Sequence, residues 1–227
     1  MKKLLFLALV LTVFLAACED PAANKPKATT TNSLTGSSAP NVAPANAVAN
    51  TPAMNSSATG NGLPITPENS KVEFTGSKVT GKHEGGFKQF SGNIDLVNNK
   101  AEDSKVLIDI DMNSLFTEEE KLTGHLKTAD FFDVEKYPKA TFVSTNIVPD
   151  TAKGADNYTI TGDFDLHGTK KAITFPATIT VGDADVAVKS EFSINRKDFG
   201  ILYAGKADDL IRDDVVIRLD LKAPRKK

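Results

Sequence analysis

The chain has 227 residues, a formal net charge of −2 and 25% charged residues, which is length enough for one sizeable domain or two small ones. That balance offers no electrostatic case for nucleic acid as a partner. A single cysteine excludes an internal disulfide framework, so the fold must stand without covalent staples.

Met1, Lys2 and Lys3 form a positive start, residues 4–15 an apolar run, and Ala16 and Ala17 put small side chains before Cys18. This is the layout of a secretory signal over residues 1–17, and the run is shorter than the ~20 residues of a membrane span. Leu15-Ala16-Ala17-Cys18 resembles the bacterial lipoprotein box, which implies lipid attachment at Cys18. Two or more acyl chains anchor a protein stably where one does not, so the expected location is the cell envelope, lipid-anchored and facing the periplasm. Glu19 after the cysteine, in place of Asp, favours the outer membrane over the inner.

Residues 18–63 are rich in Ala, Asn, Thr, Ser and Pro and hold almost no large apolar side chains, so they are expected to form a disordered linker. A free tether of about 45 residues reaches on the order of 35–40 Å.

The folded domain is expected over residues 64–227. Apolar side chains alternate with polar ones around Val72 and Phe74, Phe90 to Leu96, Val106 to Ile110, from Phe142, Tyr158 to Leu166, Ile173 to Val181, Val186 to Ile194 and Val215 to Leu221. Period-two alternation marks half-buried strands. Eight antiparallel strands in an all-β fold follow, and alternation alone leaves barrel and sandwich open. Thr117 with Glu118, Glu119 and Glu120 reads as a capped start to a short helix running toward Lys127, an insert between two strands.

The insert leads into His125-Leu126-Lys127-Thr128-Ala129-Asp130-Phe131-Phe132, with Tyr137-Pro138 beyond. Together with Gly162-Asp163-Phe164-Asp165-Leu166-His167-Gly168 and Phe192-Ser193-Ile194-Asn195-Arg196-Lys197-Asp198-Phe199-Gly200-Ile201, this order of segments resembles the YceI-like family of lipocalin-like envelope proteins. The resemblance implies an eight-stranded antiparallel lipocalin-like barrel with apolar side chains inside. It also implies a long-chain lipid as partner: a polyisoprenoid, a quinone or a fatty-acyl compound. No Trp is present, so the G-x-W mark of true lipocalins is missing.

Strand parity nominates Phe74, Phe90, Ile108, Phe142, Ile160, Phe164, Phe175, Phe192, Ile194, Ile217 and Leu219 as cavity wall. His125, His167 and Arg196 are candidates for headgroup contacts, although fixing loops and pinning a turn are the simpler roles for them. Asp109, Asp111, Asn113 and Glu120 fall at EF-hand spacing, but Ser114 stands where the loop needs Gly, and a strand precedes it. The three His are too widely spaced for a zinc motif. Gly81, Gly85 and Gly86 lack the helix and the G-K-[ST] ending of a phosphate loop. No metal, cofactor or covalent catalysis is expected, and a lipid-binding protein is favoured over two alternatives, a structural or stress-related barrel filled by its own side chains and an enzyme acting on an isoprenoid or fatty amide. The oligomeric state is not legible, a homodimer being compatible with the sequence.

Overall fold

The computed structural model describes residues 20–33 and 62–225; the leader, Cys18 and the signal-peptide and acylation expectations lie outside them. Among the described residues the strands are β1 (Thr29–Asn32), β2 (Leu63–Ile65), β3 (Lys71–Lys78), β4 (Gly81–Phe87), β5 (Phe90–Val97), β6 (Lys100–Asp111), β7 (Leu115–Thr117), β8 (Lys139–Pro149), β9 (Asn157–Leu166), β10 (Thr169–Val181), β11 (Asp185–Asn195), β12 (Gly205–Lys206), β13 (Asp209–Leu210) and β14 (Asp214–Pro224). One α-helix, α1 (Glu120–Leu126), lies between β7 and β8.

Twelve of these strands form one antiparallel sheet in the order β2-β5-β6-β8-β9-β10-β11-β14-β3-β4-β7, with β1 added on β10; β12 and β13 pair separately. The eight strands read from alternation are all present, as β3, β5, β6, β8, β9, β10, β11 and β14. The count of eight is corrected by β1, β2, β4 and β7, which carry little or no apolar alternation. Closure is corrected as well: no ladder joins the end strands β2 and β7, so the sheet curls as a half-barrel. β4 enters it because Gly85 and Gly86 admit close neighbours. A Cβ at Gly85 would lie 2.5 Å from both the Phe74 ring and the Phe116 carbonyl.

Inward parity holds along the long strands. Val106, Ile108 and Ile110 of β6 are buried while Lys105 and Asp109 face away, and Val186, Val188, Phe192 and Ile194 of β11 join the same core. The helical insert is present, but Thr117 does not cap it. Glu119 is the N-cap without a side-chain bond, while the Thr117 hydroxyl donates to the Glu119 carbonyl at 2.8 Å and fixes the turn before the helix.

Residues 20–33 correct the expectation of a continuous linker over 18–63. β1 pairs with β10 in the register Thr29↔Thr174 to Asn32↔Lys171, and just before it Lys27 bridges Ser193 of β11 in parallel. Low apolar content argues against a core, yet a strand also forms where neighbouring edges offer unpaired N–H and C=O groups. Such edges exist here because β10 and β11 pair only from Thr178↔Lys189 to Val181↔Val186. Pro176 lies at the break, where proline cannot donate to a ladder, and the Ser190 hydroxyl donates to its carbonyl at 2.5 Å.

Candidate ligand cavity

The inward faces of β3, β4, β6, β8, β9, β10, β11 and β14 do not meet throughout. They leave a cavity of about 110 Å³, to which the insert between β7 and β8 contributes Phe132. Nine of the eleven wall candidates line it: Phe74, Ile108, Phe142, Phe164, Phe175, Phe192, Ile194, Ile217 and Leu219. Phe90 and Ile160 are the exceptions. Both are buried in the core, at 7% and 2% exposure, but outside the wall. Parity tells which face a side chain takes and says nothing of its depth along the strand.

An aromatic row crosses the interior. Phe142 lies 5.6 Å from Phe175, and Phe175 stacks on Phe192 with centroids 4.2 Å apart and planes at 10°. Gly162 makes room for the row, since a Cβ there would fall 2.4 Å from the Phe142 ring. Along β10 and β11 the residues on one side of this row, Ile173 and Ile194, face the large cavity; on the other side Ile179, Val186 and Val188 face a second void of about 10 Å³. The row is therefore the floor of the cavity.

Met112, Phe132 and Ile201 also line the cavity, from turns and loops that parity could not reach. The available signal was the paired aromatic at Phe131 and Phe132 inside the family segment. Phe131 is buried against His125 and Tyr203 at ring distances of 5.1 Å each, and its neighbour Phe132 turns to the cavity. Ile201 follows Gly200, whose φ of 75° ends the 3-10 turn Arg196–Phe199. That left-handed geometry suits glycine, and it brings the chain back over the core.

Only Glu73 and Arg196 among the lining residues carry charge. Glu73 alternates with Val72 and Phe74, so its carboxylate points to the outer face, 3.8 Å from Arg218. Arg196 is buried, and its guanidinium is committed to the chain itself. It donates to the carbonyls of Ile201 at 2.7 Å, Arg212 at 3.1 Å and Ile211 at 3.4 Å, and it meets Asp213 at 3.2 Å. Burial lowers its pKa from the ordinary guanidinium value, with Asp213 opposing. Arg196 therefore pins the turn after β11, through Asp213 and the three carbonyls.

His125 and His167 lie outside the wall. The His125 ring faces Asp130 at 2.8 Å and is 40% exposed. His167, with φ 54°, and Gly168, with φ 69°, form the two-residue turn between β9 and β10, the left-handed pair that such hairpins require. The His167 ring meets the Phe199 carbonyl at 3.2 Å and packs on Tyr137 at 4.6 Å, so it joins the insert, the hairpin and the turn after β11. Asp109 is held in β6, and the Asp111 carboxylate accepts the N–H of Asn113. The cavity can hold an apolar chain. Its wall offers no carboxylate or nucleophile aimed at a bound molecule.

The YceI-like domain model matches residues 64–223. A UPF0312 protein of Pseudomonas putida strain W619 is 35% identical over 139 residues, 59% of this chain and 71% of that protein. The structure of Burkholderia cenocepacia BcnA is similar at a TM-score of 0.62 and 27% identity, covering 70% of this chain and 99% of that one. A structure described as a polyisoprenoid binding domain from Saccharophagus degradans, implicated in plant cell wall breakdown, shares the fold at a TM-score of 0.57 and 19% identity, covering 72% and 99%.

Proposed function

The chain belongs to the YceI-like domain family, and from that premise we propose that it binds a long-chain apolar lipid in the cavity between its strands, sequestering or carrying it without covalent chemistry. The observation that carries this reading is the wall itself: eight strands contribute to a void lined mostly by Phe, Ile, Leu and Val. The ligand class is a polyisoprenoid, a quinone or a fatty-acyl chain, all of which present methylenes or methyl-branched units to such a wall. The neighbour described as polyisoprenoid-binding favours the first.

Size sets the energetics. A cavity near 110 Å³ is of the order that holds one benzene-sized molecule, and so a short run of a chain. Five methylenes give roughly 4 kcal/mol gross at about 0.8 kcal/mol each, and association consumes several. Tight binding of a longer chain therefore needs the wall to yield or the chain to extend through an opening.

The proposed setting is the bacterial envelope, with export directed by residues 1–17 and an acylated Cys18 holding the protein to a membrane, the outer one by the Glu19 argument. Asp20 is already on the domain, 3.3 Å from Arg212. The leash from Cys18 is then two residues, roughly 7 Å, in place of a tether of about 45 residues. Titration with dansyl-undecanoic acid, followed by displacement with a polyprenol, tests the binding reading. Saturable fluorescence that the polyprenol reverses is the expected result, and a flat titration contradicts it.

A further inference from the structure

The segment 20–33 lies outside the region matched by the family, which begins at residue 64, yet it occupies a place where two neighbouring long strands part. Beyond Pro176, β10 and β11 no longer pair, and residues 26–32 run between them. On one side the Ala28 N–H donates to the Ser193 carbonyl and the Ser193 N–H donates to the Pro26 carbonyl, both at 2.8 Å. On the other side Thr29 to Asn32 pair with Thr174 to Lys171. Strands stand about 4.8 Å apart, so β10 and β11 are separated there by roughly 9.6 Å, and the gap runs about 20 Å along six residues. An alkyl chain is narrower than that gap.

What lies behind the gap is the cavity wall. Ile173 and Phe175 on one edge and Phe192 and Ile194 on the other all face the cavity, with the stacked Phe175 and Phe192 rings at the level where pairing stops. We infer that the slot between β10 and β11 is a lateral entrance to the cavity, and that the segment 20–33 is the displaceable strand that closes it. The inference rests on the lipid-binding reading and adds the route by which a long chain enters a cavity too small to enclose it.

The way the segment is held fits a strand that can leave. β1 is Thr-Thr-Thr-Asn with a mostly exposed face, and the buried apolar side chains of the segment are Ala22 and Ala28. Its other ties include backbone hydrogen bonds, partly exposed ion pairs of Lys25 with Glu191 at 2.7 Å, Lys27 with Asp214 at 2.7 Å and Asp20 with Arg212 at 3.3 Å, and side-chain hydrogen bonds in which the Ser33 hydroxyl donates to Asp163 at 2.6 Å and the Lys171 ammonium donates to Asn32 at 2.9 Å. Every one of these can be exchanged for water. Removing the strand exposes the slot without taking a large side chain from the core.

A reversible staple tests the entrance. Thr31 and Ala172 are register partners, so T31C with A172C, in a chain also carrying Cys18→Ser, should lock the strand when oxidised and free it when reduced. The readout is dansyl-undecanoic acid release by stopped flow. Release at least tenfold slower in the oxidised form, restored by reductant, with the same equilibrium affinity, supports the entrance. A chain lacking residues 20–33 should release the probe faster than the parent. Equal release rates in oxidised and reduced forms, with binding intact, overturn the entrance while leaving the cavity reading standing. No binding by any form overturns both.

Discussion

Phe175 and Phe192 stack at 4.2 Å across two strands whose backbones have already stopped pairing. Side-chain contact thus continues inside the molecule where the ladder has been given over to residues 26–32. The pair is both the inner edge of the split and part of the floor between two voids. Phe175→Ala should join the 110 Å³ cavity to the smaller void. We expect a loss of about 3–5 kcal/mol in urea unfolding, with binding preference moving toward longer chains in a series of fatty acids. Unchanged chain-length preference would mean that the floor does not limit the site.

Ala140 faces the cavity from β8 at 1% exposure. Ala140→Trp should place an indole in the void, lowering affinity for dansyl-undecanoic acid by tenfold or more. Overpacking should cost about 1–3 kcal/mol. A melting curve read beside the titration separates a filled site from an unfolded protein.

Arg196 is predicted to act on stability and not on ligand recognition. Lysine has no fork with which to serve the carbonyls of Ile201, Ile211 and Arg212 together. Arg196→Lys should therefore cost about 3 kcal/mol in denaturant unfolding. Probe affinity, measured well below the midpoint, should change less than twofold; a large selective loss of affinity for carboxylated over neutral ligands would assign Arg196 to the headgroup.

The strand that fills the split should loosen in acid. Hydrogen bonding to Lys25 holds the Glu191 carboxyl below its ordinary pKa, against burial and with help from Arg218. A depressed folded-state pKa contributes stability that is complete above the unfolded value near 4.5 and is lost as pH falls through the folded one. Because the pair is partly exposed, the effect on opening should be no more than about fivefold. Amide exchange at Ala28 and Ser193, corrected for intrinsic rates, should show this step below pH about 4.5, and Glu191→Gln should remove it.

Much of this architecture is legible in the residues. Alternation exposes the long strands because each has one face in a continuous core, as with Val106, Ile108 and Ile110. It misses β1, whose Thr-Thr-Thr-Asn is held by its backbone, and β4, where Gly85 and Gly86 carry no side chain to alternate. Pro176 inside an otherwise regular strand was the available sign of a break in pairing. For the cavity, parity reaches the strand walls but cannot rank depth, so Phe90 and Ile160 fall outside. Met112, Phe132 and Ile201 escape it because turns have no period. The roles of His167 and Arg196 depend on carbonyls far along the chain, which no local pattern encodes.

Everything proposed for this chain depends on a long apolar ligand occupying the cavity. Its most direct test is mass spectrometry of organic extracts from protein purified from its native cells without added lipid. A single class of isoprenoid, quinone or fatty-acyl compound near one per protein, and reduced in Ala140→Trp, is the predicted result. Extracts no richer than those of an unrelated protein purified in the same way would contradict it.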